Sequence, residues 1–242
     1  MEKKVFSIRD LSVDDLLKSD IETVFFVENF GKYQDRFIPI LISREDYILC
    51  YNKCKEIVDE IKQDHEFENE KDLFAYLYIL IANINDSALD SEIVFNNLQE
   101  KIKQNDYNEI SRIQGLYNVL FNKPCACHGR AFTLNNLCSL LGIESVVVNG
   151  CTKNGKMHHS WNVVRLDGKW YETDLQWDLK RIWKKELPLK EFLKSHKDFK
   201  HDMFDTSIEN KLEQFCRQSI SDEEQEKIIN KYLDKETIAR KL

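Results

Sequence analysis

Glycine and proline are rare in this chain, and the glycines are confined largely to one stretch. The 242 residues include only seven glycines and three prolines, well below the usual ~7% and ~5%. Six of the glycines lie between residues 115 and 168, at Gly115, Gly129, Gly142, Gly150, Gly155 and Gly168. Because these residues interrupt helices, we expect long helices outside this window. The tight turns, and with them the functional site, are expected inside it.

Composition narrows the class of protein. The chain is 42% hydrophobic and 32% charged, which is too apolar for a disordered chain and too polar for an integral membrane protein. A net charge of -7 argues against nucleic acid and anionic membranes as partners. Seven cysteines, an odd number, with no apolar signal segment after Met1 indicate free thiols in a reducing compartment. We therefore expect a soluble, cytoplasmic protein.

Capping residues and apolar spacing predict helices on both sides of the glycine window. They run from Ser12 to about Asn29, from Ser43 through Ile61, from Leu73 to Ile84 after Asn69, from about Ser91 to Gln104, and from Ser221 to Ala239. No linker or repeat divides the sequence. We expect a single domain over 1–242, with a helical N-terminal extension at 1–65, a core at 66–205 and a C-terminal helical segment at 206–242.

Inside the window the pattern changes from helix to strand. The pattern from Cys127 to Leu141 predicts a helix, with Gly142 as its C-terminal cap. Three strands are then predicted, at Glu144–Asn149, His159–Leu166 and Lys169–Leu175. Asp167-Gly168 joins the last two as a two-residue hairpin. The sequence therefore predicts an α+β fold.

The hairpin fixes which side chains share a face of the sheet. If Leu166 pairs with Lys169, then Asp174 is a diagonal neighbour of His159 on the same face, at ~7–8 Å between backbones. His158 has the opposite parity, so the turn favours His159 as the partner of Asp174. By the same parity, Asp178 is a second possible acid on that face.

A histidine held by a carboxylate is an oriented base that needs a nucleophile. Cys127 is the natural candidate because it opens a predicted helix. There the positive end of the helix dipole lowers the pKa of a thiol, and the exposed N–H groups can bind an oxyanion. Cys127, His159 and Asp174 would then form the thiol version of the acyl-transfer triad.

These residues also carry a resemblance, which spans 123–178. The segments are Cys127-His128-Gly129-Arg130-Ala131, Leu141-Gly142-Ile143, His159-Ser160-Trp161-Asn162, and Gly168-Lys169-Trp170-Tyr171-Glu172-Thr173-Asp174. In order, spacing and residue type they resemble the transglutaminase-like superfamily. The resemblance implies Cys127 as nucleophile, His159 as general base and acid, and Asp174 as the orienting group. The fold that it implies is papain-like, with the cysteine helix packed on an antiparallel sheet and helices added at both ends.

From this resemblance we expect a cysteine-dependent acyl-transfer enzyme acting on amide bonds of a protein or peptide through a thioester. Substrate contacts are assigned to Gly129, Arg130 and Trp161. Arg130 stands where the family has an aromatic residue, and a cation there would repel a lysine ammonium, which favours hydrolysis over lysine cross-linking. No calcium-loop motif is present, so no cofactor or metal is expected.

The sequence allows two alternatives to an acyl-transfer enzyme. Cys125, Cys127, His128, His158 and His159 offer enough sulfur and nitrogen ligands for a tetrahedral zinc site. Alternatively, the chain is an inactive homologue that keeps the fold as an interaction module. The usual sign of inactivity is loss of a catalytic group, whereas Cys127, His159 and Asp174 are all present.

Overall fold

The architecture is taken from a computed structural model that describes residues 23–26, 40–64, 66–86, 91–152, 158–203 and 206–233. Its strands are β1 (Thr23–Phe26), β2 (Ile40–Ser43), β3 (Glu144–Thr152), β4 (His158–Leu166), β5 (Lys169–Thr173) and β6 (His201–Met203). Its helices are α1 (Arg44–Asp64), α2 (Glu70–Ile84), α3 (Ser91–Gln104), α4 (Tyr107–Gln114), α5 (Leu116–Leu120), α6 (Cys127–Leu140), α7 (Leu175–Trp183), α8 (Thr206–Phe215) and α9 (Asp222–Leu233).

Four strands form an antiparallel sheet in the order β5-β4-β3-β6, and β1 pairs with β2 in a separate ribbon. The hairpin between β4 and β5 has the predicted register, with Leu166 opposite Lys169. Asp167 and Gly168 have φ values of 50° and 78°, the positive φ at both positions that this two-residue turn needs. Register in this hairpin is therefore set locally.

The sheet is covered on both faces. One face contributes Val147, Val164 and Leu166 to the main core, which also contains α2 and the apolar side of α6. The other face carries a smaller cluster in which Trp161 packs with Phe199, with Leu212 of α8 and with Cys216 just after that helix. An α+β fold with the cysteine helix on an antiparallel sheet is thus confirmed.

Local capping explains the helices that begin where the sequence predicts. The Ser43 hydroxyl accepts the Asp46 N–H, Asn69 accepts the Asp72 N–H, and Ser221 accepts the Glu224 N–H. The all-round apolar helix α2 is buried along most of its length. In α9, Tyr232 donates to Asp72 of α2 at 2.8 Å, so the C-terminal segment packs against the core.

Two predictions about the elements are wrong in part. The helix expected from Ser12 to Asn29 is a strand at Thr23–Phe26, and the remainder of that prediction lies outside the described residues. The strand expected to reach Leu175 ends at Thr173, where α7 follows. The C-terminal helix is described as far as Leu233, and its predicted continuation to Ala239 also lies outside the described residues.

The division of the chain into segments 1–65, 66–205 and 206–242 stays a prediction. No helix in the described part of the chain has the length and hydrophobicity of a membrane span.

Candidate active site

Cys127 is the first residue of α6, and the start of that helix lacks a side-chain cap. Ala126 occupies the cap position, and its methyl group can accept no hydrogen bond. The Ala126 N–H donates to the Ile113 carbonyl at 2.8 Å, which fixes the entry of the chain into the helix. Farther along α6, the Asn162 amide of β4 donates to the Ala131 carbonyl at 2.9 Å. Cys127 is thereby held beside β4. The Gly129 N–H donates to the Ala126 carbonyl, so the N–H groups of Cys127 and His128 are the ones that can meet a ligand at this helix start.

His159 and Asp174 form a buried pair. Nε2 of His159 lies 2.6 Å from Oδ2 of Asp174, and the two side chains are 3% and 1% exposed. This is the pair that the hairpin register favours, although the ladder itself ends at Asn162 and Thr173. Asp174 turns the chain into α7, whose N-terminus it caps by accepting the Trp177 N–H through Oδ1. One carboxylate thus holds His159 and starts the next helix.

The structure brings Cys127 to this pair. His159 lies close enough to the Cys127 thiol for a hydrogen bond that lowers the thiol's pKa, and the Ser160 N–H acts on the same sulfur in the same direction. Because Nε2 of His159 is engaged by Asp174, Nδ1 is the nitrogen left for Cys127. Two elements, β4 and the start of α6, therefore place base and thiol in contact.

Electrostatics in this pocket favour an ion pair. Burial lowers the pKa of His159, but the charge and hydrogen bond of Asp174 outweigh it and raise that pKa to about 11. Burial raises the pKa of the Cys127 thiol, yet the hydrogen bond and charge of His159 leave it below its usual value. Asp174 is buried too, but its two histidine neighbours keep its pKa well below the usual range. Near neutral pH these directions favour a thiolate beside an imidazolium.

Asp178, the second acid allowed by strand parity, does not lie against His159, because residues 175–183 are helical. Its carboxyl accepts the Tyr78 hydroxyl at 3.1 Å and the backbone N–H groups of Lys190 and Glu191. Burial raises the pKa of Asp178 to about 7, although these hydrogen bonds lower it. The prediction that Asp178 shares the face of His159 is wrong.

A second histidine, which is not among the residues predicted from the sequence, reaches Asp174. Nε2 of His201 lies 2.7 Å from the same Oδ2 atom, and its side chain is fully buried. Its ring lies among those of Trp161, Trp177 and Phe199, with centroids 4.4–5.0 Å away. No motif marks His201, because only the pairing of β6 with β3, opposite Thr152, brings it to the site.

His159, Asp174 and His201 are the one group of three potential metal ligands brought together in the described residues. Their N···O distances of 2.6 and 2.7 Å are hydrogen-bond distances, whereas ligand atoms around tetrahedral zinc lie about 3.3 Å apart. The predicted zinc set is not assembled. Cys125 donates to Asn85, His128 contacts the Gln114 carbonyl, and His158 is on the exposed side of β4.

The residues expected to bind substrate are packed into the protein. Arg130 is 3% exposed, and its guanidinium donates to Asn85, Gln176 and the Cys125 carbonyl. The expectation that its cation meets an incoming lysine is wrong, because the guanidinium is held inside the protein; substrate binding by Arg130 stays a prediction. Gly129 is buried as well, and a Cβ there would lie 2.9 Å from the Gly115 carbonyl oxygen.

Two tryptophans lie beside His159, one buried and one exposed to solvent. Trp161 is 1% exposed; its ring stacks at 6.3 Å from that of His159, and Nε1 donates to Glu172. Trp177 is 38% exposed, with its ring 5.9 Å from that of His159. Substrate binding by Gly129 and Trp161 stays a prediction. The indole that reaches the surface at the site is that of Trp177.

Comparison with known families agrees with this geometry. Residues 80–175 match the family described as the transglutaminase-like superfamily. The resemblance to the transglutaminase-like superfamily is thus confirmed over this segment, about two fifths of the chain. The matched transglutaminase-like segment contains Cys127, His159 and Asp174, and it ends just after the acid that orients the histidine.

Individual relatives are distant and cover short stretches. Kyphoscoliosis peptidase of Mus musculus and that of Homo sapiens are each 29% identical over 70 residues, which is 25% of this chain and 11% of theirs. The chain thus spans about a tenth of the length of these curated relatives. A solved structure described as a TGase is 20% identical, covering 56% of this chain and 39% of its own, with a TM-score of 0.26.

Proposed function

We propose that this chain is a cysteine-dependent acyl-transfer enzyme that acts on amide bonds of a protein or peptide through a thioester. The observation that carries the proposal is the contact of Cys127 with a histidine whose other nitrogen is held by a buried carboxylate. A thiol without such a partner is mostly protonated near pH 7, because its pKa is about 8.5. A histidine that lowers the pKa of the thiol reduces that barrier to attack.

The reaction begins with the Cys127 thiolate, which attacks the amide carbonyl carbon. The carbonyl oxygen gains the negative charge, and the uncapped N–H groups at the start of α6 can hydrogen-bond it. The His159 imidazolium then gives its proton to the leaving amine as the C–N bond breaks. The products of this half are a free amine, a Cys127 thioester and a neutral His159.

In the second half, neutral His159 takes a proton from the acceptor as it attacks the thioester. Water as acceptor yields an acid, and a primary amine yields a new amide; both regenerate the thiolate and imidazolium. Asp174 keeps the ring oriented throughout and stabilises its charged form. Because the guanidinium of Arg130 is buried, its charge gives no reason to exclude an amine as acceptor. The thioester intermediate is therefore common to both reactions, and competition between water and amine decides whether the product is an acid or a new amide.

Brief alkylation with iodoacetamide tests the nucleophile. Cys127 and Cys151 are the cysteines with solvent exposure, and the other five are buried. Cys151, in β3, therefore serves as the internal control. We expect adducts at Cys127 to form at least tenfold faster than at Cys151 at pH 6.5, where an ordinary thiol is protonated. Equal labelling of the two would remove the basis for the proposal.

Turnover is tested with a library of glutamine-containing peptides, with and without a labelled primary amine. Release of ammonia or of peptide fragments, abolished in Cys127→Ala, would support acyl transfer. Incorporation of label would identify an amine as acceptor, and ammonia release without incorporation would identify water. If the wild type and Cys127→Ala retain the same peptides and neither releases a product, the inactive interaction module is favoured instead.

A further inference from the structure

Positive charge is concentrated in one segment of this acidic chain. Residues 180–200 hold eight of the 35 lysines and arginines but only three of the 42 acidic residues. Six of the lysines are exposed, and they are Lys180, Lys184, Lys185, Lys190, Lys197 and Lys200. Of the three acids, Glu191 is 1% exposed, so few negative charges offset this surface. The rest of the chain is correspondingly more acidic than its net charge suggests.

This segment begins and ends at the candidate active site. It follows directly on Asp174 and Trp177 at the start of α7, and it leads into His201, which hydrogen-bonds Asp174. Lys200 and Lys194 lie close enough to Glu191 to affect its ionisation, and the Glu191 carbonyl accepts the Asp174 N–H at 3.0 Å. The positive surface is therefore continuous with the site of the proposed chemistry.

One face of α7 presents the aromatic and basic groups together. Trp177, Lys180 and Lys184 are spaced by three and four residues, which places them on the same side of a helix. All three are exposed, and neither lysine makes an ion pair with any residue that the structure describes. Arg181, in contrast, is occupied by the Pro188 carbonyl and by Glu186. We call the face formed by Trp177, Lys180 and Lys184 the α7 ridge.

We infer that the α7 ridge binds the substrate, and that the substrate is a protein or peptide segment with an apolar residue near the reactive amide and acidic residues beyond it. This inference rests on the proposed function. The exposed indole of Trp177 lies 5.9 Å from the ring of His159, where it can pack on an apolar side chain next to the bond attacked by Cys127. The two lysines, farther from the site, attract carboxylates.

Helix geometry sets the spacing of the acidic residues. From Trp177 to Lys184 the axis of α7 rises about 10 Å at ~1.5 Å per residue. An extended peptide covers the same distance in about three residues. Acidic side chains two to four positions from the residue that packs on Trp177 would therefore meet Lys180 and Lys184. A nucleic acid would instead be repelled by the acidic remainder of the chain.

Binding is measured on the Cys127→Ser protein, which lacks the nucleophile and so reports affinity without turnover. The probe is a fluorescent peptide with one leucine and with glutamates at the third and fourth positions on either side of it; its sister has glutamines there. We expect the glutamate peptide to bind about tenfold more tightly at 50 mM salt. That advantage should shrink at 300 mM salt, because exposed charges are then screened.

Matched charge reversals identify the surface. Lys180→Glu/Lys184→Glu should abolish the preference for glutamate, whereas Lys62→Glu/Lys103→Glu, which makes the same charge change near the C-terminal ends of α1 and α3, should retain it. Trp177→Ala should weaken both peptides without changing their ratio. Circular dichroism confirms that each variant folds.

Three results would overturn the inference. They are equal binding of the two peptides, an equal loss of preference in the control reversal, and binding of single-stranded RNA or phosphatidylserine vesicles through the α7 ridge when neither peptide binds. Peptide binding without turnover in the wild type would overturn the proposed function but leave the binding surface standing. The two conclusions are thus separable.

Discussion

Replacing Asp174 by asparagine tests whether the charge of Asp174 stabilises the ion pair between Cys127 and His159. The Asp174 carboxylate is the main influence that raises the pKa of His159 to about 11 against the effect of burial. Asparagine keeps the shape but removes the charge, so burial should then lower the pKa of His159 below its usual value. The Cys127 thiol would lose its cationic partner, and its own pKa would rise. An asparagine NH₂ facing Nε2 would in addition select the wrong tautomer of His159.

The expected size of the effect follows from the known behaviour of such triads. Removing the charge of the orienting acid costs about 10⁴-fold in turnover when the geometry is retained. Alkylation of Cys127 needs only the thiolate, so we expect it to fall about 10–100-fold at pH 6.5 and to recover toward pH 9. The assay is the rate of iodoacetamide labelling across pH 5–9, read by peptide mapping, together with turnover of any substrate found.

Asp178→Asn is the matched control, because Asp178 is equally buried but bonds Tyr78 and the backbone at 190 and 191 instead of His159. It should leave the labelling profile of Cys127 within about twofold of the wild type. An unchanged profile in Asp174→Asn, or a larger change in Asp178→Asn, would refute the reasoning that Asp174 creates the ion pair.

Three further predictions concern the surroundings of the site. Gly129→Ala would place a Cβ 2.9 Å from the Gly115 carbonyl oxygen. The free energy of unfolding in urea should therefore fall by about 1–2 kcal/mol, even after the gain in helix propensity. A stabilised variant would show that the backbone at 113–115 can move away from the new methyl group. Arg130→Met removes the guanidinium that donates to Asn85, Gln176 and the Cys125 carbonyl, and the free energy of unfolding should fall by about 2–4 kcal/mol in the same assay. The ratio of amine incorporation to hydrolysis should stay as in the wild type. A change in that ratio would show that Arg130 contacts the substrate. Burial, followed by the charge of Asp178, raises the pKa of Glu191 to about 8, so the folded state binds its proton more tightly than the unfolded state, and stability is lost as pH rises from about 4.5 to 8. Relative to Glu191→Gln, the wild type should lose roughly 1–3 kcal/mol over that range, and parallel stability curves would contradict the assignment.

Much of the site could be predicted because its determinants are local. The Asp167-Gly168 turn sets the register of β4 and β5 through the conformation of two residues, and register carries the parity that singles out Asp174. Helix starts at Ser43, Asn69 and Ser221 are likewise decided within one turn of chain. The start of α6 at Cys127 follows the same logic, and the family resemblance supplied its chemical meaning.

Long-range contacts decided what the sequence could not. Thr23–Phe26 is a strand because it pairs with Ile40–Ser43, and helical spacing within the segment carries no information about that partner. Whether Arg130 faces solvent depends on oxygens contributed by Asn85 and Gln176, more than 40 residues away in each direction. Both choices are made by packing between segments that are distant in the chain.

His201 shows the division most clearly. The sequence by itself determined the tight hairpin whose register favours His159 as the partner of Asp174, and the helix start and the family resemblance predicted Cys127 as the third member of the set. Only the tertiary structure decided that a histidine 27 residues beyond Asp174 shares its Oδ2 atom. That contact depends on β6 pairing with the far edge of β3, and strand pairing across a sheet is settled by the burial of the whole face and by no local pattern.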